Sequence, residues 1–564
     1  MSIQLYDTTL RDGAQREGIS FSVEDKVKIA RKLDELGIHF IEGGWPGSNP
    51  KDTEFFRRMQ SISLSNSILV AFGSTRRKNI RAEDDPNIRA LLETKLKVVT
   101  LVGKGSAEHV TRIFKTSLAQ NLAMIADSVR YLKSKGLTVF FDAEHFFDGY
   151  KIDAQYALRT IETAAEAGAE CLVLCDTNGG SMPDEIAAIV AAVRGQGSGT
   201  SPHPVPLTTD PRQPIPVGIH AHNDMELAVA NTLAAVRAGA THVQGTINGY
   251  GERCGNANLC SILPALRLKM GIDCVNSEQL ARLAEISRYV SEIANQAPFP
   301  HLPYVGASAF GHKAGMHIAA MAETEESYQH IDPSLVGNRS RILVSELSGV
   351  STILYKAKEY GLGFAAPTPQ ARGILKQVKY LENQGFKYDD AEASFELLLH
   401  RAQPDYRPPF ELVDFMVVVE KHRRSPTSQE SRVKGRGTPD SRLQTPDEEG
   451  TLSEAMVKVK VGEDIYHTAA EGSGPVNALD QALRKALLQF YPDLAVVKLI
   501  DFKVRILEES RGTEARVRVL IESSDGQQQW STVGSSTNII EASWISLADS
   551  LEYWLLKKGL RKLG

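Results

Sequence analysis

The stretch Val217–Ala228, VGIHAHNDMELA, decides how this chain is read. An apolar run ends in two histidines, His220 and His222, spaced two apart. Residues i and i+2 of a strand point to one face, so both imidazoles would look the same way at the strand's end. Two nitrogen donors placed like this can hold a divalent ion. A pair of ordinary strand-end histidines is the alternative that spacing alone leaves open. The rest of the chain repeats the same layout, an apolar run closing on a polar or small residue.

The runs are IQLYDTTLRDG, FIEGGWPG, ILVAFGS, KVVTLVGKG, TVFFDAEHF, CLVLCDTNGG, VGIHAHND and HVQGTINGYG. Between them lie amphipathic stretches such as SVEDKVKIARKLDELG, with Ser22 as N-cap and Gly37 as stop, and YALRTIETAAEAGAE. Strand alternating with helix implies parallel pairing. Eight such units within residues 1–275 suit a closed (β/α)8 TIM barrel, which needs about 250 residues. An open doubly wound sheet would more often hold fewer strands. The runs finish at Asp12, Glu42, Ser74, Lys104, Glu144, Thr177, His222 and Asn248. In a barrel those ends converge on the face that carries the active site.

Composition bounds the rest. A chain of 564 residues with 42% hydrophobic and 24% charged residues is globular and long enough for several domains. A net charge of -5 gives no electrostatic reason to expect nucleic acid or an anionic membrane. No apolar run reaches membrane-spanning length, and MSIQLYDTTLRDG lacks a signal-peptide layout. Five cysteines, an odd number, point to a reducing compartment, so a soluble cytoplasmic protein is expected. Cys171 and Cys175, on an apolar run, read as small core residues rather than a redox or zinc pair.

Three domains are expected: the barrel to residue 275, mainly helical linker subdomains over 276–395, and a C-terminal α+β regulatory domain over 396–564. The proline-punctuated NQAPFPHLPYVG, Asn295–Gly306, marks a boundary beyond the barrel. The Gly-, Pro- and Ser-rich stretch 194–216 reads as a mobile insertion and the polar stretch 421–450 as a disordered one. The C-terminal domain carries a weak repeat of strand, turn, strand and helix. Each copy sets a Gly-Ser pair, Gly472-Ser473 or Gly534-Ser535, ahead of its helix. These pairs are either small N-caps or a site where helix-start amides meet a ligand carboxylate.

A catalytic ion at His220 and His222 also needs oxygen ligands and an open position. Asp12 ends the first strand, and in a closed barrel only strand eight separates strands one and seven. Asn256, in NGYGERCGNANLC, could add an amide oxygen. Arg11 beside Asp12 would offer a permanent cation to a developing alkoxide or enolate, unless it merely caps a strand. Glu144 would position water or take a proton, or else pair with Arg11. The spacing of Gly249, Gly251 and Gly255 departs from the dinucleotide-binding pattern, so no nicotinamide cofactor is expected.

The motifs YDTTLRDGAQ, HAHND, GTINGYGERCGNANL and AFGHKAGMH resemble the metal-dependent acyl-CoA condensing enzymes of the isopropylmalate, homocitrate and citramalate synthase family. The resemblance runs nearly end to end, and IEGGWPGSNPKDTEFF is most similar to the citramalate-forming branch. It implies a divalent metal ion (Mg, Mn or Zn) held by Asp12, His220, His222 and Asn256, with acetyl-CoA as co-substrate and pyruvate as acceptor. The implied reaction is a Claisen-type condensation giving (R)-citramalate and CoA. Arg11 would polarise the keto oxygen, Gln15, Asp142 and Thr177 would bind substrate, and Glu144 would act near the acetyl methyl group.

The resemblance further implies that His317 and Tyr328 reach into a neighbouring subunit's site, hence a homodimer. His317 rather than His312 occupies the family's Gly-x-His position, although the following IAA replaces the usual acidic continuation. The base is Glu144, or His317 working with Tyr328 through water. By the same analogy the C-terminal repeat senses isoleucine at Gly472, Ser473, Gly534 and Ser535. Trp45, Phe72 and Leu101 would fill the space that a branched 2-oxo acid needs. The rival readings are 2-isopropylmalate synthase and homocitrate synthase, which share the ligands, then a retro-aldol lyase and a non-catalytic amino-acid-binding protein.

Overall fold

A computed structural model describes residues 2–195, 215–363, 368–421, 451–507, 512 and 514–559. The stretches 194–216 and 421–450 lie almost wholly outside the described residues. The chain divides into two compact units, Met1–Gly311 with Gln329–Arg341, and His312–Tyr328 with Ile342–Gly564.

The first unit is built on a closed barrel of eight parallel strands in sequence order, as the eight runs imply. They are β1 (Gln4–Asp7), β2 (Phe40–Gly44), β3 (Ile68–Ser74), β4 (Val98–Lys104), β5 (Thr138–Glu144), β6 (Cys171–Asp176), β7 (Val217–Ala221) and β8 (His242–Gly245). Both faces of each strand are covered, which is why the strands read as unbroken apolar runs. Tyr6, Phe40, Val70, Val98, Phe140, Cys171, Val173 and Cys175 fill the interior. Their neighbours, among them Leu5, Ile41, Leu69, Val99, Leu101 and Phe141, belong to the core shared with the helices. Cys171 and Cys175 are thus core residues, and all five cysteines are free. This alternation corrects one expectation. Leu101 is fully buried in the outer core, and its neighbour Val102 lines the mouth instead.

Local signals place the surrounding helices. Ser22 and Asp25 form a reciprocal capping box on the helix Val23–Leu36, and Gly37 ends it in the left-handed region at φ 84°. On this helix Lys26 is buried and donates to the Gly43 carbonyl and to the Asp52 carboxylate. Asp52 also accepts from the Trp45 amide at 2.9 Å, so the pair fixes the loop after β2. Removing one partner of a buried ion pair strands the other charge in a poorly solvated place. Asp52→Ala is therefore expected to destabilise the chain by about 3–5 kcal/mol in denaturant unfolding. A loss below about 1 kcal/mol, the range of a solvated surface pair, would contradict this reading.

The second unit ends in two antiparallel sheets of three strands. The first sheet comprises Glu411–Lys421, Thr451–Val461 and Asp464–Gly472, and the second Lys498–Ile506, Val517–Ser524 and Gln529–Ser536. Each sheet precedes a helix, Pro475–Leu487 or Ile539–Lys557, and both repeats share a core containing Val457, Leu483, Ile521 and Trp544. The Gly-Ser pairs are not helix caps. Gly534 and Ser535 lie within the last strand, and Asn538 caps the helix that follows. Gly472 ends its strand, and Gly474 is the N-cap. The glycines serve close packing instead. A Cβ on Gly534 would stand 2.0 Å from the Ala542 carbonyl oxygen, and one on Gly472 2.4 Å from the Ala478 nitrogen.

Candidate functional site

The strand ends of the barrel open into a cavity of about 810 Å³. Arg11, Asp12 and Gln15 reach it from the loop and turn after β1, His220 and His222 from β7 and the residue beyond it, and Asp142 and Glu144 from β5. Thr177 follows β6 and lines the same space. The i, i+2 spacing of the histidines works as the strand geometry requires. His220 Nε2 lies 3.3 Å from His222 Nε2 and 3.3 Å from Asp12 Oδ2. The ligand atoms of Asp12, His220 and His222 all fall within 4.8 Å of one another, and all three residues are buried.

This donor set fits a divalent ion. His220 Nδ1 faces Gln244 Oε1 at 2.8 Å, an arrangement that keeps its Nε2 for a ligand. Asn256 is 1% exposed, and its backbone bridges to His222. Its amide oxygen and nitrogen, like His222 Nδ1, are buried with no hydrogen-bond partner among the described residues. Unpartnered buried donors and acceptors are costly in the folded state unless a ligand or water satisfies them. One carboxylate, two imidazoles and an orphaned amide oxygen suit Mg, Mn or Zn. The glycine loop aims Asn256. Gly251, at φ 153°, brings its backbone so near that a Cβ would stand 2.6 Å from Asn256 Oδ1.

The site's charges are set by their neighbours. Burial alone would raise the Asp12 carboxyl, but Arg11 and His220 hold it well below the usual carboxylate range. Burial, then His220, pushes His222 down to about 4, which leaves it neutral. Burial opposes the charging of His220, yet Asp12 raises it above its ordinary value.

Arg11 is fixed on three sides. Its Nε donates to Glu42 Oε1 at 2.6 Å, its Nη1 lies 3.4 Å from Asp12 Oδ2, and its Cζ sits 3.9 Å from the centre of the Phe72 ring. Glu42 is fully buried and also accepts from the Tyr6 hydroxyl at 2.7 Å. Arg11 thus pairs with Glu42 and not with Glu144, which is paired with Lys104. Glu42 and Gln244 are the residues that sequence reasoning missed as supports. Glu42 was visible only as a polar strand end. The Thr177 hydroxyl accepts the His145 amide at 2.8 Å, which orients it at the edge of the cavity. Trp45 and Phe72 meet edge-on at 5.4 Å and form one wall.

One strand-end residue stands elsewhere, and the two residues expected outside the barrel lie outside it. Asn248 turns away in the left-handed region at φ 61° and donates to the Ser287 carbonyl and to Ser291. His317 and Tyr328 belong to the second unit, where their rings stack at 4.0 Å and Tyr328 is exposed.

Asp142, which lines the cavity, accepts from Gln244 Nε2 at 3.2 Å. Burial, then Glu42, pushes its carboxyl up to about 7. A folded value above the unfolded one of about 3.9 means that the folded chain keeps the proton longer. This group's contribution to stability therefore falls as pH rises from about 4 to about 7. In EDTA, the melting temperature of Asp142→Asn minus that of the parent is expected to grow between pH 5 and pH 8. A difference that does not change with pH would contradict the shift.

The barrel and its mouth are of the HMGL-like class. The profile of that family, HMGL-like, matches residues 2–290, just over half of the chain. Residues 304–385 match the homocitrate synthase post-HMGL domain-like family and 441–555 the LeuA allosteric (dimerisation) domain. An (R)-citramalate synthase of Geobacter sulfurreducens is 50% identical over 555 residues, 98% of this chain and 98% of the relative. One of Synechocystis sp. is 50% identical over 563 residues, 98% of this chain and 96% of the relative. A 2-isopropylmalate synthase of Methanocaldococcus jannaschii is 28% identical over 561 residues, 99% of this chain and 95% of the relative. The chain belongs to the (R)-citramalate synthase family and is an acyltransferase of that type. Among the described residues no helix is long and apolar enough to cross a membrane.

Proposed function

We propose that the chain condenses acetyl-CoA with pyruvate and water to give (R)-citramalate and CoA. The observation that carries this reading is half identity to (R)-citramalate synthases across nearly all of the chain, against 28% to the 2-isopropylmalate synthase. Asp12, His220, His222 and Asn256 would hold a divalent ion. Such an ion, when bound, supplies Lewis-acid polarisation of the 2-oxo acid.

The chain's own residues do the rest. Arg11, clamped by Glu42 and packed on Phe72, presents a permanent cation to the oxygen on which negative charge develops. Thr177 and Gln15 bind the acid's carboxylate, with Asp142 lining the same cavity. Glu144, held by Lys104, is placed to take a methyl proton of acetyl-CoA; His317 with Tyr328 is the second candidate. The chain acts in the pyruvate route to isoleucine and is inhibited by isoleucine through the C-terminal repeat. The match to an allosteric domain supports that regulation. Saturating isoleucine that left the initial rate unchanged would remove it.

The test of the reaction is CoA release from acetyl-CoA by thiol titration with pyruvate, 3-methyl-2-oxobutanoate and 2-oxoglutarate offered separately. Pyruvate is expected to be turned over fastest and to give (R)-citramalate in equal amount to CoA. Faster turnover of the branched acid would move the chain to leucine synthesis.

We also propose a homodimer in which His317 and Tyr328 complete the partner's site, a reading supported by the dimerisation-domain match and the exposed ring stack. Arg11→Ala and His317→Ala chains are each expected to be nearly inactive as homodimers. Mixed after subunit exchange, they should recover activity, because half of the sites in a hybrid receive both native residues. Mixtures no more active than their parents would place His317 in its own subunit's site or outside catalysis.

A further inference from the structure

A second cavity, of about 650 Å³, lies in the barrel unit between the helix Leu283–Ile293, the turn Ile247–Gly249 and the segment from Gln296 to Ala307. The two spaces border the same short turn, Gly13–Gln15: Gln15 lines the catalytic mouth and the next residue, Arg16, lines this one. Four arginines line the second cavity, Arg16, Arg288, Arg339 and Arg341, and no carboxylate does. Among the described residues, Arg16, Arg288 and Arg339 have no carboxylate in ion-pair range. Arginines elsewhere on this unit do find acids, as Arg282 does Glu35 at 2.7 Å and Arg253 does Asp224 at 2.7 Å.

Two of the unpaired heads are nonetheless held in place. Arg16 sits 5.6 Å from the centre of the Tyr250 ring, and the Tyr250 hydroxyl is tied to Ser291 at 3.1 Å. Arg288 Nε donates to the Ala284 carbonyl at 3.3 Å, so its terminal nitrogens are not used in that bond. The unpaired Arg16, Arg288 and Arg339 on one cavity favour a ligand with several anionic oxygens, because each guanidinium recognises phosphate or carboxylate through a fixed fork of donors. The same lining includes an exposed aromatic. Phe299, flanked by Pro298 and Pro300, is 61% exposed while lining the cavity. A planar base stacked on an aromatic, with its phosphates on arginines, is the chemistry this combination serves. The volume lies within the range of small-ligand sites, about 300–1,000 Å³.

We propose that this cavity is a second ligand site that takes a nucleoside diphosphate, its phosphates on Arg16, Arg288 and Arg339 and its base on Phe299. The same chemistry is offered by a free nucleotide and by the nucleotide head of CoA. The CoA arm of the proposal rests on the reaction proposed above, whereas ADP binding by titration tests the site whether or not that reaction holds.

The experiment is isothermal titration of the full-length chain with ADP, inorganic pyrophosphate and adenosine at physiological salt. ADP is expected to bind saturably and adenosine not at all. In the double variant Arg288→Ala/Arg339→Ala the ADP dissociation constant should rise by about tenfold or more. Phe299→Ala should weaken ADP but leave pyrophosphate unchanged, and the KM for pyruvate should stay as in the parent throughout. An unchanged KM for acetyl-CoA in the double variant assigns the site to a free nucleotide, and a raised one assigns it to the head of CoA. No saturable ADP binding, or ADP binding that survives the double variant, would overturn the proposal. So would ADP binding lost instead on Arg77→Ala, because Arg77 lines the catalytic cavity. ADP binding that ignores Phe299→Ala would reduce the site to one for inorganic anions and overturn the nucleoside assignment.

Discussion

Asp12→Ala is expected to lower kcat for pyruvate-dependent CoA release by on the order of 10³-fold, with the fold intact by circular dichroism. Asp12 is the single carboxylate in the cluster with His220 and His222. Without it a hard cation meets two neutral imidazoles and an amide, a set with no formal charge to offset its own. The carboxylate also stands between Arg11, at 3.4 Å, and His220, at 3.3 Å, so its loss unbalances both. Titration calorimetry with Mn²⁺ should show the same variant binding metal at least about tenfold more weakly. A variant that kept kcat within tenfold of the parent would place the reaction away from this cluster.

The second large effect falls on Arg11. Arg11→Ala is expected to cost on the order of 10²–10³-fold in kcat, with metal affinity close to that of the parent. A preorganised cation aimed at developing charge acts on the transition state more than on the bound substrate, so KM for pyruvate should move far less than kcat. Arg11→Lys should recover little. The guanidinium spends Nε on Glu42 and stacks on Phe72 while its terminal nitrogens reach the cavity, and an ammonium cannot do all three. A loss confined to KM would make Arg11 a binding residue only.

Much of this was legible in the sequence because parallel barrels write themselves plainly. Strands covered on both faces appear as apolar runs, and the polar residue that ends each run marks the mouth. His220 and His222 could be paired from spacing alone, since both belong to one strand and its end. What faces them from other strands is fixed by register across the barrel. Glu42 reaches Arg11 across 31 residues through the pairing of β2 with β1, and nothing local in FIEGG announces it. Gln244 holds His220 across 24 residues in the same way.

Single-residue geometry overturned three expectations. Asn248 ends a run like the others, but its left-handed backbone turns it toward the helix Leu283–Ile293. Leu101 is apolar and close to the mouth, yet the two-residue period of β4 sends it outward and Val102 inward. The Gly-Ser pairs look like helix caps in the sequence, whereas their glycines are needed where strand and helix nearly touch.

The measurement that bears most directly on the account is pyruvate-dependent CoA release before and after exhaustive dialysis against EDTA, followed by titration with Mg²⁺, Mn²⁺ and Zn²⁺. The parent chain should lose activity on dialysis and regain it with at least one of these ions, while Asp12→Ala should regain none. Full activity in the dialysed, metal-free chain would contradict the reading of Asp12, His220, His222 and Asn256 as a metal centre, and with it the chemistry assigned to the barrel mouth.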